Sequence, residues 1–230
     1  MGTDCGVWIY NPLTDSFSRF DKRSADGESI TNMVNVIKGH GDKIYITANE
    51  QGVFCYDLRR NHLSHFRLKG YPNVAGMSID DDGTVWLGLF GGGLYTTNYA
   101  FRTLTPFRTQ DGKTPFADNI VSAILPLGNG RYAIGTDKQG LSLIDAAHHS
   151  FQPVVASVGG KELFVRNLIL SHHEIWAATE QGMLVYNIDT HATQHFTYNP
   201  MDPFSISDNP LYCLYKDREG GLWAGSYFGG

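Results

Sequence analysis

Four charged residues of this chain could contribute to acid–base catalysis: Glu50, Asp137, Arg166 and Glu180. A lyase or hydrolase needs carboxylates, histidines or an arginine that converge on one substrate, and these four are scattered along the sequence. The chain also has no Gly-x-Ser-x-Gly motif, no His-Glu-x-x-His motif and no phosphate-binding loop. The sequence therefore favours a protein that is not an enzyme, with a lyase or hydrolase as the less favoured alternative.

Metal binding is the other chemistry that the side chains suggest. His148-His149 and His172-His173 are adjacent pairs in predicted turns, and neighbouring side chains on a strand point to opposite faces. The run Asp80-Asp81-Asp82-Gly83 begins like a calcium loop but lacks the downstream acidic ligand. The cysteines show no paired spacing, and their odd number excludes a complete disulfide framework: Cys5, Cys55 and Cys213. We therefore expect no metal site and no cofactor.

Composition indicates an all-β chain and narrows the range of partners. The 230 residues include 26 glycines and 13% aromatic residues, a mixture typical of strands joined by tight turns. The net charge of −5 comes without a cluster of Lys and Arg, which argues against binding to nucleic acid or to an anionic membrane. No apolar run approaches the roughly 18 residues of a membrane span, and the sequence around Met1 lacks the basic start and apolar stretch of a signal peptide. We expect no membrane contact by this segment.

A repeat sets the positions of all these residues. Glycines that open a strand recur at intervals of 46, 41, 47, 42 and 48 residues: Gly6, Gly52, Gly93, Gly140, Gly182 and Gly230. An Asn or Asp follows each of the first five glycines by five positions, and a Phe or Val follows by fourteen. Asn and Asp suit turns because their side chains bond to nearby backbone. Each repeat therefore contains a strand that begins at the glycine, a turn, and a further strand.

The stretch Asp81–Tyr95 is the clearest copy of the preceding half of the repeat. Asp82-Gly83 predicts a tight turn, Val85–Leu87 a strand whose Trp86 packs between sheets, and Gly91–Gly93 a reversal into the next strand. Each unit thus holds four short antiparallel strands, here termed a to d. Such units at this period are typical of β-propeller blades. An open meander or a sandwich is the alternative, but sandwiches lack such regular spacing.

We therefore predict an all-β fold, a β-propeller of four-stranded antiparallel blades. Four complete blades are expected at about residues 31–68, 73–108, 118–155 and 163–198, with half-blades at 1–22 and 206–230. The two half-blades could combine and close a five-bladed ring. We favour a fragment of a larger propeller, because natural domains rarely end within a tight turn and open sheet edges aggregate.

The amino-acid sequence of the repeat resembles that of a known family. Residues 205–225, Ser-Ile-Ser-Asp-Asn-Pro-Leu-Tyr-Cys-Leu-Tyr-Lys-Asp-Arg-Glu-Gly-Gly-Leu-Trp-Ala-Gly, are similar to the two-component regulator propeller repeat, as are residues 118–120 with 134–137 and residues 175–182. The departures weaken single blades rather than the assignment: Ala133 replaces the aromatic residue, Thr47 and Ala177 replace a glycine, and Leu163 stands where an asparagine is expected.

The resemblance implies a role in signalling. Such repeats form the periplasmic sensor part of bacterial hybrid two-component systems, where a β-domain, a membrane helix, a histidine kinase, a receiver and a DNA-binding module follow. The family is associated with sensing breakdown products of polysaccharides. By this resemblance we expect a non-catalytic sensor segment in the periplasm, in an inner-membrane-anchored receptor, with an oligosaccharide ligand and the rest of the sensor kinase polypeptide as partners. The alternative is a scaffold for protein contact or homodimerisation that binds no small ligand.

The connectivity of the blades predicts where a ligand would bind. The b–c hairpins and the d–a connections of a four-stranded meander emerge on the same face. Amides, carboxylates and aromatic rings there suit a sugar, although the recurring Glu-Gln-Gly and Lys-Gln-Gly sequences are also ordinary turn chemistry. Leu89 and Phe90 are expected at an exposed hairpin tip. The candidate ligand-binding residues are Asn49, Glu50, Gln51, Phe90, Asp137, Lys138, Gln139, Glu180, Gln181, Tyr227 and Phe228.

Overall fold

The computed structural model describes residues 1–70 and 73–228, and within these ranges the chain consists of β-strands and turns without a helix. The predicted all-β fold is therefore confirmed. The anchor glycine at Gly230 and the end of the predicted half-blade 206–230 lie outside the described residues. The chain divides into two compact units, Met1–Pro106 and Phe107–Gly230, which are described separately below.

The first unit contains three antiparallel sheets in which strands pair with their neighbours in sequence. One sheet has three strands: β1 (Gly2–Thr3), β2 (Gly6–Asn11) and β3 (Ser16–Arg19). The next has four: β4 (Val34–His40), β5 (Lys43–Ala48), β6 (Gly52–Asp57) and β7 (His62–Phe66). The last also has four: β8 (Val74–Ile79), β9 (Thr84–Leu89), β10 (Gly93–Asn98) and β11 (Thr105–Pro106).

The second unit repeats the same pattern, again with antiparallel pairing of sequence neighbours. Two sheets have four strands: β12 (Val121–Gly128), β13 (Arg131–Thr136), β14 (Leu141–Asp145) and β15 (Ser150–Val155), then β18 (Val165–Ser171), β19 (Glu174–Thr179), β20 (Gly182–Asn187) and β21 (Thr193–Phe196). Two strand pairs complete the unit: β16 (Ser157–Val158) with β17 (Lys161–Glu162), and β22 (Leu211–Lys216) with β23 (Leu222–Ser226). The hairpin β16–β17 lies in a connection where the sequence indicated no strand.

A steric reason explains why the anchor glycine recurs in each repeat. Those that the structure describes all have positive φ, between 64° at Gly140 and 121° at Gly182. A Cβ at Gly52, Gly140 or Gly182 would also lie 2.6, 2.0 or 2.3 Å from a carbonyl oxygen at the end of strand d. Only glycine tolerates both conditions, so the sequence period marks the points where strand c starts against strand d.

Apolar side chains pack the sheets of each unit face to face. In the first unit, Tyr45 and Val53 from one sheet pack with Val85 and Leu87 from the next. In the second unit, an equivalent cluster joins β12–β15 to β18–β21. Burial of a Leu or Val in such a cluster stabilises the fold by about 1.5–3 kcal/mol.

The aromatic position of strand b depends on its sheet. Trp86 is 3% exposed, as expected for packing between sheets, whereas Trp223 is 65% exposed. The described part of the last sheet has only the strands β22 and β23, so its aromatic residue is not covered in the same way.

The first strands of five sheets, β4, β8, β12, β18 and β22, carry a β-bulge close to their start, which the sequence did not predict. The register shifts at the same place in all five strands, and one extra residue is left between two paired positions. Bulges of this kind re-aim a side chain and occur next to binding sites. The bulge residues are Asn35, Ala75, Ser122, Arg166 and Tyr212.

Candidate functional site

Three of the scattered charged residues converge in the second unit. The guanidinium of Arg166 donates from Nη1 to Asp137 Oδ1 at 2.9 Å, from Nε to Glu180 Oε1 at 3.1 Å, and from Nη2 to the same oxygen of Glu180. The side chains are 26%, 15% and 31% exposed for Arg166, Asp137 and Glu180. They are thus half-sheltered, in the range where an ion pair contributes more than on an open surface.

The three residues meet because the repeat places them at equivalent points. Arg166 is the bulge residue of β18, while Asp137 and Glu180 are the first residues after β13 and β19. Their backbone amides donate to the carbonyls of Ile120 and Phe164, at 3.1 Å in both cases, which fixes each hairpin against the start of its first strand. The same backbone bond is made at the matching positions of the other sheets, namely Asn49, Phe90 and Tyr227.

In three of the five bulged sheets, the bulge residue and the residue directly after strand b also form a side-chain pair. In the first unit, Asn35 Nδ2 donates to Asn49 Oδ1 at 2.6 Å. In the second, Arg166 binds Glu180, and the rings of Tyr212 and Tyr227 lie 5.5 Å apart. The shared backbone bond explains why five of the predicted site residues belong to one structural class. The side-chain pairing adds Arg166 and Tyr212, which the sequence did not place in the ligand site.

An aromatic surface continues from the charged residues. Arg166 Cζ lies 5.7 Å from the ring centroid of Tyr212, and the rings of Tyr227 and Phe228 are 4.6 Å apart and nearly perpendicular. Tyr212, Tyr227 and Phe228 are 45%, 64% and 81% exposed, so their faces are open to a ligand. We call Asp137, Arg166, Glu180, Tyr212, Tyr227 and Phe228 the Arg166 cluster.

Electrostatics in the Arg166 cluster favour a charged guanidinium. Burial raises the pKa of the Asp137 carboxyl, and the adjacent Arg166 offsets only part of that rise. Burial also acts to lower the pKa of Arg166, but the hydrogen bond to Glu180 and the charge of Asp137 outweigh it and raise that pKa above its ordinary value. The cluster therefore holds the guanidinium of Arg166 fixed between Asp137 and Glu180.

Two predicted site residues instead hold the d–a connections through their side-chain amides. Gln51 Oε1 accepts from the amides of Thr31 and Asn32, and its Nε2 donates to Ser29 O at 2.9 Å. Gln181 Oε1 likewise accepts from the amide of Phe164 at 3.0 Å. The turn interpretation of the recurring Gln-Gly sequence therefore accounts for both glutamines, and we leave them out of the Arg166 cluster.

The remaining predicted residues occupy the hairpin tips. Phe90 is 44% exposed, but Leu89 is 1% exposed, so the expectation of an exposed Leu89 is wrong. Leu89 is the last residue of β9 and packs into the apolar cluster with Val74. Glu50 and Lys138 are exposed, and the Glu50 amide donates to Asn73 Oδ1 at 2.8 Å.

A groove of about 670 Å³ lies elsewhere in the second unit, between residues 109–115 and strand β15. Among the predicted residues that the structure describes, it is lined only by Gln139. Its floor is largely apolar, with Phe151 and Pro153, and it contains no charged side chain that is buried. The Arg166 cluster has more of the features that fix a ligand, namely sheltered charges beside open rings.

Two further observations bear on the other sequence expectations. Across residues 1–70 and 73–228, no three His, Cys, Asp or Glu side chains lie close enough together to hold a metal ion. The same ranges contain no helix that is long and apolar enough to cross a membrane. The adjacent histidines His148 and His149 form hydrogen bonds within the protein: His148 Nδ1 lies 2.8 Å from Asp145 Oδ2, and His149 Nδ1 lies 2.9 Å from Arg108 O.

Comparison with known proteins supports the family resemblance and the fold. The model of the two component regulator propeller family matches residues 205–228, so the resemblance read from the sequence is confirmed over that repeat. No curated protein matches the chain.

Among solved structures, the extracellular domain of a protein described as the one component system BT4673 of B. thetaiotaomicron superposes with a TM-score of 0.80 at 19% identity, over 98% of this chain and 30% of that one. The extracellular domain of the B. thetaiotaomicron protein described as the hybrid two component system BT3049 gives 0.78 at 20% identity, over 99% and 30%. The β-propeller domain of Cps50 (Swd1) from Myceliophteria thermophila gives 0.64 at 14%, over 98% and 75%. These likenesses confirm the propeller fold, and the chain spans about 30% of the first two proteins.

Proposed function

We propose that this chain is a non-catalytic sensor segment of a bacterial hybrid two-component regulator, because it has a propeller fold and carries a two component regulator propeller repeat. It binds an extracytoplasmic ligand, an oligosaccharide, and passes the signal to a kinase elsewhere in the polypeptide. Support comes from the family match at residues 205–228 and from the extracellular domains that share the fold. On the same support, we propose that the segment lies in the periplasm, as part of an inner-membrane-anchored receptor.

The observation that carries the proposal is the Arg166 cluster. A sugar offers hydroxyl groups around its edge and apolar faces above and below its ring. Carboxylates accept from hydroxyls, and exposed aromatic rings cover apolar faces at low cost in conformational entropy. The cluster provides both within one hairpin face, with Asp137 and Glu180 held in place by Arg166.

The fixed ion pairs favour binding over catalysis. A glycosidic bond is cleaved by a carboxylic acid that donates a proton and a second carboxylate placed about 5–9.5 Å away. Here Asp137 and Glu180 both bind the same guanidinium, so Arg166 rather than a glycosidic bond lies between them. A lyase or hydrolase activity is therefore the least favoured function of this surface.

Titration calorimetry of the protein against a panel of oligosaccharides tests the proposal. We expect at least one glycan to bind, and Tyr212→Ala to weaken its affinity at least tenfold. Tyr215→Ala is the matched control, because Tyr215 lies on the same strand, is 63% exposed and is outside the cluster. Absence of binding across the panel, or equal losses in the two variants, would contradict the proposal.

A scaffold for protein contact or homodimerisation is the second candidate, and one observation favours it. Tyr215 and Trp223, opposite each other on β22 and β23, are 63% and 65% exposed. Adjacent exposed aromatic residues are typical of protein interfaces. Light scattering of the wild type and of Trp223→Ser distinguishes the candidates: a scaffold predicts self-association that the substitution abolishes while glycan binding stays undetectable.

A further inference from the structure

We infer that the groove between residues 109–115 and strand β15 is a second carbohydrate-binding surface, which holds one end of an oligosaccharide whose other end binds the Arg166 cluster. The inference rests on the proposed function and deepens it, because it assigns to the ligand a second contact surface and a preference for longer chains. Both surfaces belong to the second compact unit of the protein, residues 107–230.

The groove is large enough for a ligand, and its wall at residues 109–113 is fixed in place. Its volume of about 670 Å³ lies within the range of small-molecule sites, about 300–1,000 Å³. The wall is held by its own backbone, since the Thr109 amide donates to Lys113 O at 2.9 Å, and it is joined to the start of β15, since the Gln110 amide donates to His149 O at 3.0 Å. A groove that exists before binding loses little conformational entropy when a ligand enters it.

Gln139 differs from the other two glutamines that directly precede an anchor glycine. Gln51 and Gln181 use their side-chain amides to hold the d–a connections. Gln139 precedes Gly140 in the same way, yet its exposed side chain makes no hydrogen bond within residues 1–70 and 73–228 and lines the groove instead. A primary amide offers two donors and an acceptor, which suit the hydroxyl groups of a sugar.

Ser142, on strand β14, is a second polar residue of the groove without a partner. It lines the groove and is 0% exposed, and its Oγ has no hydrogen-bond partner in the described part of the chain. Buried hydroxyls of native proteins are nearly always hydrogen-bonded, because an unmade bond costs free energy. A hydroxyl-bearing ligand in the groove supplies the missing partner, directly or through an ordered water.

One hairpin connects the groove to the Arg166 cluster. Asp137 binds Arg166, and Gln139 lines the groove. The two residues are two positions apart, so their Cα atoms lie at most about 7 Å from each other. A ligand of several sugar units therefore reaches both surfaces. Two contacts on one ligand raise its affinity, because the second contact forms within the complex.

The lining of the groove favours a sugar over an extended peptide. β15 is the outer strand of its sheet, and such edges are common sites for an added peptide strand. β15 contains Pro153, and proline is one of the residues that keep an edge strand from pairing with a further chain. The rings of Phe151, Pro115 and Pro153 instead offer apolar surface, which fits the apolar faces of sugar rings beside the polar group of Gln139.

Oligosaccharides of increasing length test the inference. Malto-, xylo-, arabino- and galacto-oligosaccharides, each from the disaccharide to the hexasaccharide, are titrated into the protein in a calorimeter at pH 7. In the series that binds, we expect the hexasaccharide to bind at least tenfold more tightly than the disaccharide. This ratio, here termed the length gain, compares two affinities of the same protein sample, so a general loss of stability does not imitate a change in it.

Filling the groove should remove the length gain. Ala156 is exposed and lines the groove, so Ala156→Trp should reduce the length gain to less than threefold. Ala147→Trp is the matched control, because Ala147 is an exposed residue of the turn between β14 and β15 that does not line the groove; it should keep the full length gain. Gln139→Ala should lower the length gain at least threefold, whereas Gln194→Ala, on β21 and equally exposed, should leave it unchanged.

The outcomes separate this inference from the proposed function. A length gain below tenfold in the wild type overturns the inference and leaves the sensor function intact, as do equal length gains in Ala156→Trp and Ala147→Trp. Absence of binding at every length in all four series overturns the proposed function and this inference with it.

Discussion

Replacing Arg166 by Gln removes the cation that two carboxylates share, and this change should destabilise the fold measurably. Loss of one partner costs about 3–5 kcal/mol in a fully buried ion pair and about 0.2–1 kcal/mol at an exposed one. The side chains of Arg166, Asp137 and Glu180 are 26%, 15% and 31% exposed, between these limits. We therefore expect the free energy of unfolding to fall by about 2 kcal/mol.

Urea denaturation and thermal unfolding measure this loss. For a chain of this size, about 2–4 °C of Tm corresponds to 1 kcal/mol, so Tm should fall by about 4–8 °C. Arg131→Gln is the matched control: Arg131 is exposed at the start of β13, and its substitution should change stability by less than about 0.5 kcal/mol. If the two variants are equally stable, the ion pairs contribute nothing and the electrostatic account of the cluster is wrong.

The pH dependence of the loss gives an independent check. Because burial raises the folded-state pKa of Asp137 above its unfolded value, the folded protein takes up this proton more readily than the unfolded chain does. The ionised carboxylate is therefore the form that needs Arg166, and protonation relieves the variant. The deficit of Arg166→Gln should be largest at pH 7 and should shrink as pH falls through the raised pKa of Asp137. A deficit that stays constant between pH 7 and pH 3 would contradict this explanation.

Two other features make testable predictions. Gly140→Ala places a Cβ 2.0 Å from a backbone carbonyl oxygen, whereas Gly112, also at positive φ, has open space around it. Urea denaturation should therefore show Gly140→Ala to be less stable than Gly112→Ala by about 1–3 kcal/mol. Equal stabilities of the two variants would exclude the steric explanation of the anchor glycines. Hydrogen bonds from Ser24 and then from His65 lower the pKa of Asp26 to about 2. The folded-state pKa is thus below the unfolded value of 3.8, so the stability that Asp26 contributes is present above that value and lost as pH falls towards 2. Denaturation at a series of pH values should show wild type more stable than Asp26→Asn at pH 7 and the difference vanishing near pH 2; a difference that persists there would refute the assignment.

Local sequence signals determined the repeat and its turns. Gly83 and the anchor glycines such as Gly52 have a positive φ, a backbone conformation that few other residues adopt and that depends on neighbours along the chain. Spacing between such signals then gave the four-stranded units and the face on which the hairpins emerge. The positions directly after strand b, including Asp137 and Glu180, were identified for the same reason.

The sequence did not predict the side-chain direction of some hairpin residues. Leu89 and Phe90 are neighbours at one hairpin, yet Leu89 is 1% exposed and Phe90 is 44% exposed, because Leu89 ends β9 and packs into the apolar cluster whereas Phe90 is the first residue after the strand. Gln51 and Gln181 sit in ordinary turn sequences, and their bonds to the d–a connections depend on backbone that is distant in sequence.

The contributions of sequence and tertiary structure are clearest at three of the four charged residues that first suggested chemistry, namely Asp137, Arg166 and Glu180. Their types and their places within the repeat follow from the sequence, which sets Arg166 near the start of a first strand. Their convergence follows from the tertiary structure, because a bulge turns Arg166 out of the strand register and face-to-face packing of two sheets brings Asp137 within 2.9 Å of it. Sequence spacing carries no information on distances between sheets, so residues that looked scattered along the chain form one cluster once the sheets pack.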